Sequence, residues 1–226
     1  MNRPKVIELN NIDPEDISDT LVKIEKSFGF KFSKDELANI KTFGELCDII
    51  SSKMNLELSD DCTTQQVFYK IRQSIADIQL LEKNAITPDS ILEDLFPKKS
   101  RRQKILQIGK ELGFSLKILQ PRKWVSATLL MILFSSLVGL FINWKLGIAG
   151  LVLSIVGFRI ADRLGREFTV KTVGEVADKM AREHYIKSRR NPKTANQQEI
   201  VKKIKELFSH DLDLDSSVLT SEAPLL

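Results

Sequence analysis

The chain has 226 residues, of which 28% are charged and 42% are hydrophobic, and its formal net charge is +4. This length suits one or two small domains, and so small a positive charge does not indicate a nucleic-acid-binding protein. The two cysteines and two histidines lack the spacing of a zinc motif, so the sequence predicts no metal site and requires no disulfide.

The first segments of the chain predict short helices. Residues 1–8 lack the apolar core of a signal peptide, so membrane insertion would have to come from inside the chain. Leu21, Ile24 and Phe28 recur at the three- and four-residue spacing of one helix face. Similar spacing continues through the other soluble segments, whereas the alternation typical of strands is absent. We therefore expect the soluble parts to be bundles of short helices.

A cluster of basic residues follows in the middle of the chain. Five of seven consecutive residues are basic, namely Lys98, Lys99, Arg101, Arg102 and Lys104. Such a cluster can attract anionic lipid headgroups, at about 1 kcal/mol per charge near the surface. The alternative is an ordinary solvated helix start. Nucleic-acid binding is not expected, because no aromatic interleaving or reader motif accompanies the cluster.

The longest apolar stretch runs from Trp124 to Trp144 without a charged residue. It is as long as the roughly 20 residues that a spanning helix requires. A second uncharged run, residues 146–158, is closed by Arg159. We therefore predict a two-helix transmembrane hairpin over residues 124–161. The second arm is short, so a re-entrant hairpin is one alternative, and a buried hairpin in a globular core is another.

Basic residues flank the hairpin on both sides and predict its orientation. The flanking residues are Lys117, Arg122, Lys123, Arg159, Arg163 and Arg166, whereas the turn carries only Lys145. By the positive-inside rule, both flanks lie in the cytoplasm. The chain is thus predicted to be a multi-pass protein of the inner (cytoplasmic) membrane with both termini in the cytoplasm.

Two soluble segments repeat each other. Residues 41–48 read Lys-Thr-Phe-Gly-Glu-Leu-Cys-Asp and residues 171–178 read Lys-Thr-Val-Gly-Glu-Val-Ala-Asp. In each segment the Thr precedes a Glu by three residues, the pattern of a capping box at a helix start. The hairpin interrupts the second copy. The basic residues 187–193, farther on, are interpreted as an exposed linker between helices.

These motifs resemble acyl carrier proteins. Proteins of that family are bundles of about four helices, in which the Ser of an Asp-Ser-Leu motif at the start of the second helix carries phosphopantetheine. Residues 21–46 resemble the second half of such a bundle. Residues 200–222 resemble the first half and stop before the attachment loop. Residues 66–119 resemble a first half that runs into a second, which residues 168–180 complete.

The resemblance implies an all-α protein with two acyl-carrier-like bundles in permuted order and an inserted membrane hairpin. The predicted segments are a second half at 1–58, which pairs with a first half at 196–226, a central bundle at 62–122 that is completed at 166–187, and the hairpin at 124–161. The pairing is expected because each half alone lacks the helices needed to bury its apolar face.

The attachment serine is missing from its expected position in both copies. In the first copy Asp13-Pro14-Glu15 stands where Asp-Ser-Leu is expected, and in the central copy Lys98 or Lys99 occupies the serine position. Ser100 follows one or two places later. It is either a helix N-cap in a capping box with Gln103 or a shifted phosphopantetheine site.

The basic start of this helix also departs from the family, whose second helix is acidic because its partner enzymes are basic. We therefore predict a membrane-anchored, non-catalytic scaffold or interaction module without a cofactor. Membrane lipids are its expected partners, together with acyl-chain enzymes or another protein, and nucleic acid is excluded. The alternative is a membrane-tethered carrier with phosphopantetheine on Ser100, which would serve lipid or fatty-acyl metabolism.

Overall fold

The computed structural model describes residues 12–54 and 56–225. Residues 1–11, which include the segment without a signal-peptide core, lie outside the described residues. So do Asn55 of the predicted segment 1–58 and Leu226 of the predicted segment 196–226. The described residues are mainly helical, and this confirms the prediction of an all-α protein.

The helices begin and end as follows within the described residues: α1 Pro14–Phe28, α2 Lys34–Ala38, α3 Phe43–Met54, α4 Thr63–Gln79, α5 Leu92–Leu95, α6 Arg101–Leu112, α7 Lys123–Ile142, α8 Trp144–Leu164, α9 Val173–Glu183, α10 Tyr185–Ser188 and α11 Gln197–Asp211. Four two-residue strands accompany them: β1 Glu57–Leu58, β2 Leu119–Gln120, β3 Glu167–Phe168 and β4 Thr194–Ala195. β1 pairs with β4 in parallel, and β2 pairs with β3 antiparallel. Strands this short cannot show alternation, so the sequence pattern did not reveal them.

The described residues form two compact units. The head–tail unit contains the residues up to Ile71 and those from Ala177 onward, and the central unit contains Arg72–Val176. The dividing points therefore fall inside α4 and α9. The predicted segment boundaries divide the chain at other places, and they stay a prediction.

In the head–tail unit, the last helix of the chain packs against helices from its beginning. α11 contacts α1 and α3, and the rings of Phe208 and Phe43 meet edge to face with centroids 5.3 Å apart. Each of these helices contributes fully buried side chains, including Ile24, Leu46, Ile50, Ile204 and Phe208. An amphipathic helix cannot bury its apolar face alone, so the start and the end of the chain together supply this core.

The two repeated segments make matching contacts in their separate units. The Gly44 N–H donates to Ser221 O at 2.9 Å in the head–tail unit, and the Gly174 N–H donates to Pro88 O at 2.8 Å in the central unit. A Cβ atom at Gly44 would lie 2.7 Å from the Ser221 oxygen, and one at Gly174 would lie 3.0 Å from the Pro88 oxygen. Each repeat therefore needs its glycine so that two backbones can approach closely.

The threonines of the repeats cap the helices that follow them. The Glu45 N–H donates to Thr42 Oγ1 at 3.3 Å, and the Glu45 carboxylate accepts the Thr42 N–H at 3.2 Å, which completes a capping box. The Glu175 N–H likewise donates to Thr172 Oγ1 at 3.2 Å. The Glu175 carboxylate accepts the N–H of Lys171 at 2.6 Å instead of the N–H of the threonine. Both α3 and α9 begin directly after these threonines.

The hairpin of the central unit consists of α7 and α8, both long and apolar enough to cross a membrane. The second arm is longer than its uncharged run, because α8 continues through Arg159 to Leu164 and contains 21 residues. At 1.5 Å per residue this is about 31 Å, close to the thickness of a bilayer's hydrocarbon core. In the 18-residue apolar stretch of each helix, only 6% of α7 and 11% of α8 is buried.

Small residues form the contact between α7 and α8. Gly147, Gly150, Ser154 and Gly157 recur at three- and four-residue spacing on α8. A Cβ atom at Gly147 would lie 2.6 Å from the backbone nitrogen of Leu140, so no side chain fits there. The buried Ser154 hydroxyl donates to a carbonyl of its own helix, Gly150 O, at 2.9 Å. Close packing through small residues with satisfied hydroxyls is typical of membrane helices.

The two cysteines should differ sharply in reactivity. Burial raises the pKa of the Cys47 thiol to about 12, while Cys62 is exposed. Because the thiolate reacts and about one Cys47 in ten thousand is ionised at pH 8, we expect a maleimide to label only Cys62 in the folded chain. Peptide mass spectrometry would show the site, and Cys62→Ser is the control that should abolish labelling. Rapid native labelling of Cys47 would contradict the packing of α11 over α3.

Candidate functional site

At the start of α1, where the resemblance places an attachment serine, the structure has a proline-initiated helix. Pro14 is the first residue of α1, and the Asp13 carboxylate accepts the Glu15 N–H at 2.9 Å as an N-cap. Proline suits this place because its missing N–H has no partner in the first helical turn. The position offers no hydroxyl for modification, so its residues build a helix start.

Ser100 stands at the N-cap position of α6, but the predicted capping box with Gln103 is wrong. Its backbone is helical, with φ −102° and ψ −7°, and its side chain makes no cap hydrogen bond. A capping side chain needs an extended backbone to reach the N–H groups of the first turn. Instead, the Ser100 N–H donates to Pro97 O at 3.2 Å. Ser100 is half-buried as a residue, and its hydroxyl does not cap α6.

Either Lys98 or Lys99 stands at the expected serine position before α6. Both lysines are exposed. Lys98 Nζ lies 3.4 Å from Glu167 Oε1, in the segment that follows the hairpin. The predicted place of attachment thus presents ammonium groups to the solvent, and one of them is paired.

Arg101 does not belong to the exposed basic cluster in which the sequence placed it. Only 1% of its surface is exposed. Its Nε donates to Phe96 O at 3.0 Å, its Nη1 donates to Arg166 O at 2.7 Å, and its guanidinium lies 4.3 Å from the centroid of the Phe168 ring. Planar guanidinium groups suit such stacked, multiply bonded sites. Arg101 therefore ties the start of α6 to the segment after α8 and is not available to a lipid headgroup.

The remaining cluster residues also differ in exposure. Lys104 is half-buried and donates to the side chain of Gln79, whose amide in turn donates to the Leu95 carbonyl. Arg102 has the same intermediate exposure as Lys104. Of the five predicted surface cations, only Lys98 and Lys99 are thus fully exposed, and the Lys104 ammonium is engaged by Gln79.

A cleft of about 530 Å³ lies beside these residues, at the base of the hairpin. Its apolar lining comes from the first turns of α7, including Val125 and Leu129, and from the last turns of α8. Its charged lining consists of Lys98, Arg122, Arg166 and Glu167. In the sequence, the basic flanks indicate only the orientation of the hairpin. No local sequence pattern indicates that Lys98 pairs with Glu167, which lies beyond the hairpin in the chain.

Glu167 lies between two of these cations. Its Oε1 is 3.3 Å from Arg122 Nε and 3.4 Å from Lys98 Nζ. Burial acts to raise the pKa of Glu167, but hydrogen bonds and charges from Lys98 and Arg122 outweigh it and hold the pKa below its ordinary value. Glu167 is therefore ionised at neutral pH, and the cleft presents three cations and one carboxylate.

Residues 187–193, interpreted as an exposed linker, are mainly exposed, but Ser188 and Arg189 are buried, and Arg189 belongs to a polar network of the head–tail unit. Arg189 is 2% exposed. Its Nη1 donates to Thr63 Oγ1 at 2.7 Å, and that hydroxyl donates to Glu199 Oε2 at 2.6 Å. The Glu199 carboxylate also accepts the Thr63 N–H at 2.9 Å, so it caps the start of α4. This network fastens α4 and α11 together and has a structural role.

The comparisons with known proteins agree with the resemblance over part of the chain. A stretch of 44 residues, 20% of this chain, is 41% identical to an acyl carrier protein of Coprothermobacter proteolyticus and covers 54% of that protein. The chain thus spans about half the length of this curated relative. No family model matches the chain, and no solved structure matches it. Part of the chain is therefore acyl-carrier-like, and its helical structure fits that similarity.

Proposed function

We propose that this chain is a membrane-anchored, acyl-carrier-like protein that acts as a scaffold or interaction module and carries no phosphopantetheine. The observation that carries this proposal is the chemistry at the two helix starts. α1 begins with Pro14 behind an Asp13 cap, and the turn before α6 presents Lys98 and Lys99. A carrier needs a serine hydroxyl there for acyl chemistry, and this supports a non-catalytic role other than that of a carrier.

Membrane anchoring is supported by the hairpin. α7 and α8 are mainly apolar and few of their residues are buried, unlike core helices of soluble proteins, and they lie far from the start of the chain, unlike a signal sequence. The basic residues at their outer ends favour a position with both soluble flanks on the cytoplasmic side. The acyl-carrier-like units would then lie at the cytoplasmic surface, close to lipid headgroups.

The proposed permuted pairing is supported by the head–tail unit. Its tail presents Ser221 and Ala223 to the N–H groups of Gly44 and Phe43 at 2.9 Å each. In the central unit, Pro88 and Ser90 play the same part toward the second repeat. Two acyl-carrier-like bundles account for this correspondence, one of them assembled from both ends of the chain.

A second candidate function, that of a membrane-tethered carrier modified on Ser100, is favoured by one observation. The Ser100 hydroxyl is not used as a cap and belongs to the turn that precedes α6. A transferase that tolerates the surrounding lysines would find a hydroxyl within two residues of the expected place. Such a protein would take part in lipid or fatty-acyl metabolism.

Intact mass separates the two functions. After co-expression with a broad-specificity phosphopantetheinyl transferase, we expect the full-length chain, extracted from membranes in mild detergent, to keep its unmodified mass. An ordinary acyl carrier protein in the same cells should become fully modified and serves as the positive control. A phosphopantetheine adduct that disappears in Ser100→Ala would overturn the scaffold proposal and establish the carrier.

A further inference from the structure

The cleft at the base of the hairpin has an ordered polarity. Arg122 lies directly before α7, and Leu129 lies seven residues farther along, so helix geometry separates them by about 10 Å along the axis. On the other arm, Ile160 belongs to the last turns of α8, and Arg166 follows the helix. The cleft is therefore charged at its outer end and apolar toward the middle of the hairpin.

This order matches the order of groups across one leaflet of a bilayer. The outer ends of spanning helices lie in the headgroup layer, and their following turns lie in the hydrocarbon. A phospholipid presents a phosphate in the first layer and acyl chains in the second. The cleft offers cations at the depth of the phosphate and apolar surface at the depth of the chains.

We propose that this cleft binds one anionic phospholipid, with its headgroup phosphate against Lys98, Arg122 and Arg166 and an acyl chain along the α7–α8 groove beside Leu129. Three cations around a single carboxylate leave an excess of positive charge, which favours an anionic over a zwitterionic lipid. This proposal rests on the membrane insertion proposed above. It assigns the chain one bound lipid at a defined place in addition to general attraction to a surface.

Buried Arg101 holds the rim of this site in place. Its Nη1 donates to the carbonyl of Arg166 at 2.7 Å, and its Nε donates to the carbonyl of Phe96 at 3.0 Å. These bonds fix the backbone that carries Arg166 relative to the turn that carries Lys98. The cations are therefore brought together before a lipid binds, which lowers the ordering cost of binding.

Glu167 sets the selectivity of the site. Its carboxylate already accepts from Lys98 and Arg122, so a lipid phosphate must share these donors with it. Neutralising this carboxylate in Glu167→Gln should strengthen the binding of an anionic lipid. This direction is specific to the site, because loss of a structural ion pair alone would weaken binding or leave it unchanged.

The test uses the full-length chain in bilayers that contain equal amounts of phosphatidylglycerol and phosphatidylcholine. After extraction in mild detergent, native mass spectrometry counts the lipids retained by each protein. We expect wild type to retain mainly phosphatidylglycerol, and the preference should fall about fivefold for each cation removed in Lys98→Ala and Arg122→Ala. Lys99→Ala, an exposed lysine beside the site, is the matched control, and Glu167→Gln should raise retention.

Two results would overturn the lipid site, and they differ from a failure of anchoring. If wild type enters bilayers but retains both lipids equally, or if Lys98→Ala with Arg122→Ala behaves like Lys99→Ala, the cleft is not a lipid site while the membrane proposal stands. If the chain does not enter bilayers at all, the membrane proposal fails and the lipid site fails with it.

Discussion

Replacing Phe134 and Val152 together by arginine is expected to remove the full-length chain from the membrane fraction. Phe134 on α7 and Val152 on α8 lie near the helix centres and are 63% and 55% exposed, so arginines there would face lipid and not the partner helix. An arginine near the centre of a spanning helix costs about 2.5–3.5 kcal/mol on insertion scales. Two such changes, one in each arm, would strongly oppose insertion of the hairpin.

Sedimentation after alkaline carbonate extraction measures this effect. The matched control is Trp124→Arg with Trp144→Arg, which adds the same two charges at exposed helix ends, where arginine reaches the headgroups at much lower cost. The control should stay in the membrane pellet with wild type. Recovery of wild type in the supernatant, or of both double variants in the pellet, would show that the hairpin does not span a bilayer.

Truncating Arg189 is expected to destabilise the head–tail unit by about 3–5 kcal/mol, the usual cost of removing one partner from a buried charge pair. Arg189 Nη1 lies 3.6 Å from Glu199 Oε2, and the Thr63 hydroxyl bridges the two groups. In Arg189→Ala, the Glu199 carboxylate would remain at a side-chain exposure of 10% without its counter-ion. The link between α4 and α11 would be weakened. The packing of α11 against α3 would be weakened as a consequence.

The labelling rate of Cys47 in mild denaturant reports this opening, because the thiol is buried in the head–tail core. The rate should rise at least a hundredfold in Arg189→Ala, as 1.4 kcal/mol corresponds to a factor of ten. Arg190→Ala is the control, since Arg190 is exposed and its guanidinium lies 5.9 Å from the Tyr69 ring. Equal rates in the two variants would mean that the Arg189 network does not hold the unit together.

Local chemistry explains what could be predicted about the two units. Apolar residues at helical spacing gave the all-α fold, because periodicity reports which face of a helix is buried. The capping threonines Thr42 and Thr172 were recognisable because a capping box lies within four residues of sequence. The absence of a hydroxyl at Pro14 was equally visible. The repeated glycines were visible as a pattern, but their partners, Ser221 and Pro88, are distant in sequence.

The candidate site depended on contacts that no local pattern encodes. Lys98, Lys99, Arg101 and Arg102 look alike in sequence, yet Arg101 alone of the four is buried. Its burial requires the carbonyl of Arg166, which the long hairpin separates from it in the chain. The same applies to Arg189, whose partner Thr63 is provided by the start of α4. Basic residues in a run are usually exposed. A basic side chain is buried only where the fold brings hydrogen-bond acceptors from distant parts of the chain to it.

The sequence by itself determined that this protein is helical, that it carries an apolar hairpin with basic flanks, and that the attachment serine is absent from its expected places. The first two properties follow from composition and from spacing within a few residues, and the third follows from the resemblance to acyl carrier proteins. The tertiary structure alone decided that the hairpin base forms a charged cleft and that Arg101 and Arg189 lie inside. A charged side chain is buried only where folding brings distant acceptors to it, since an unpaired charge would be too costly away from water.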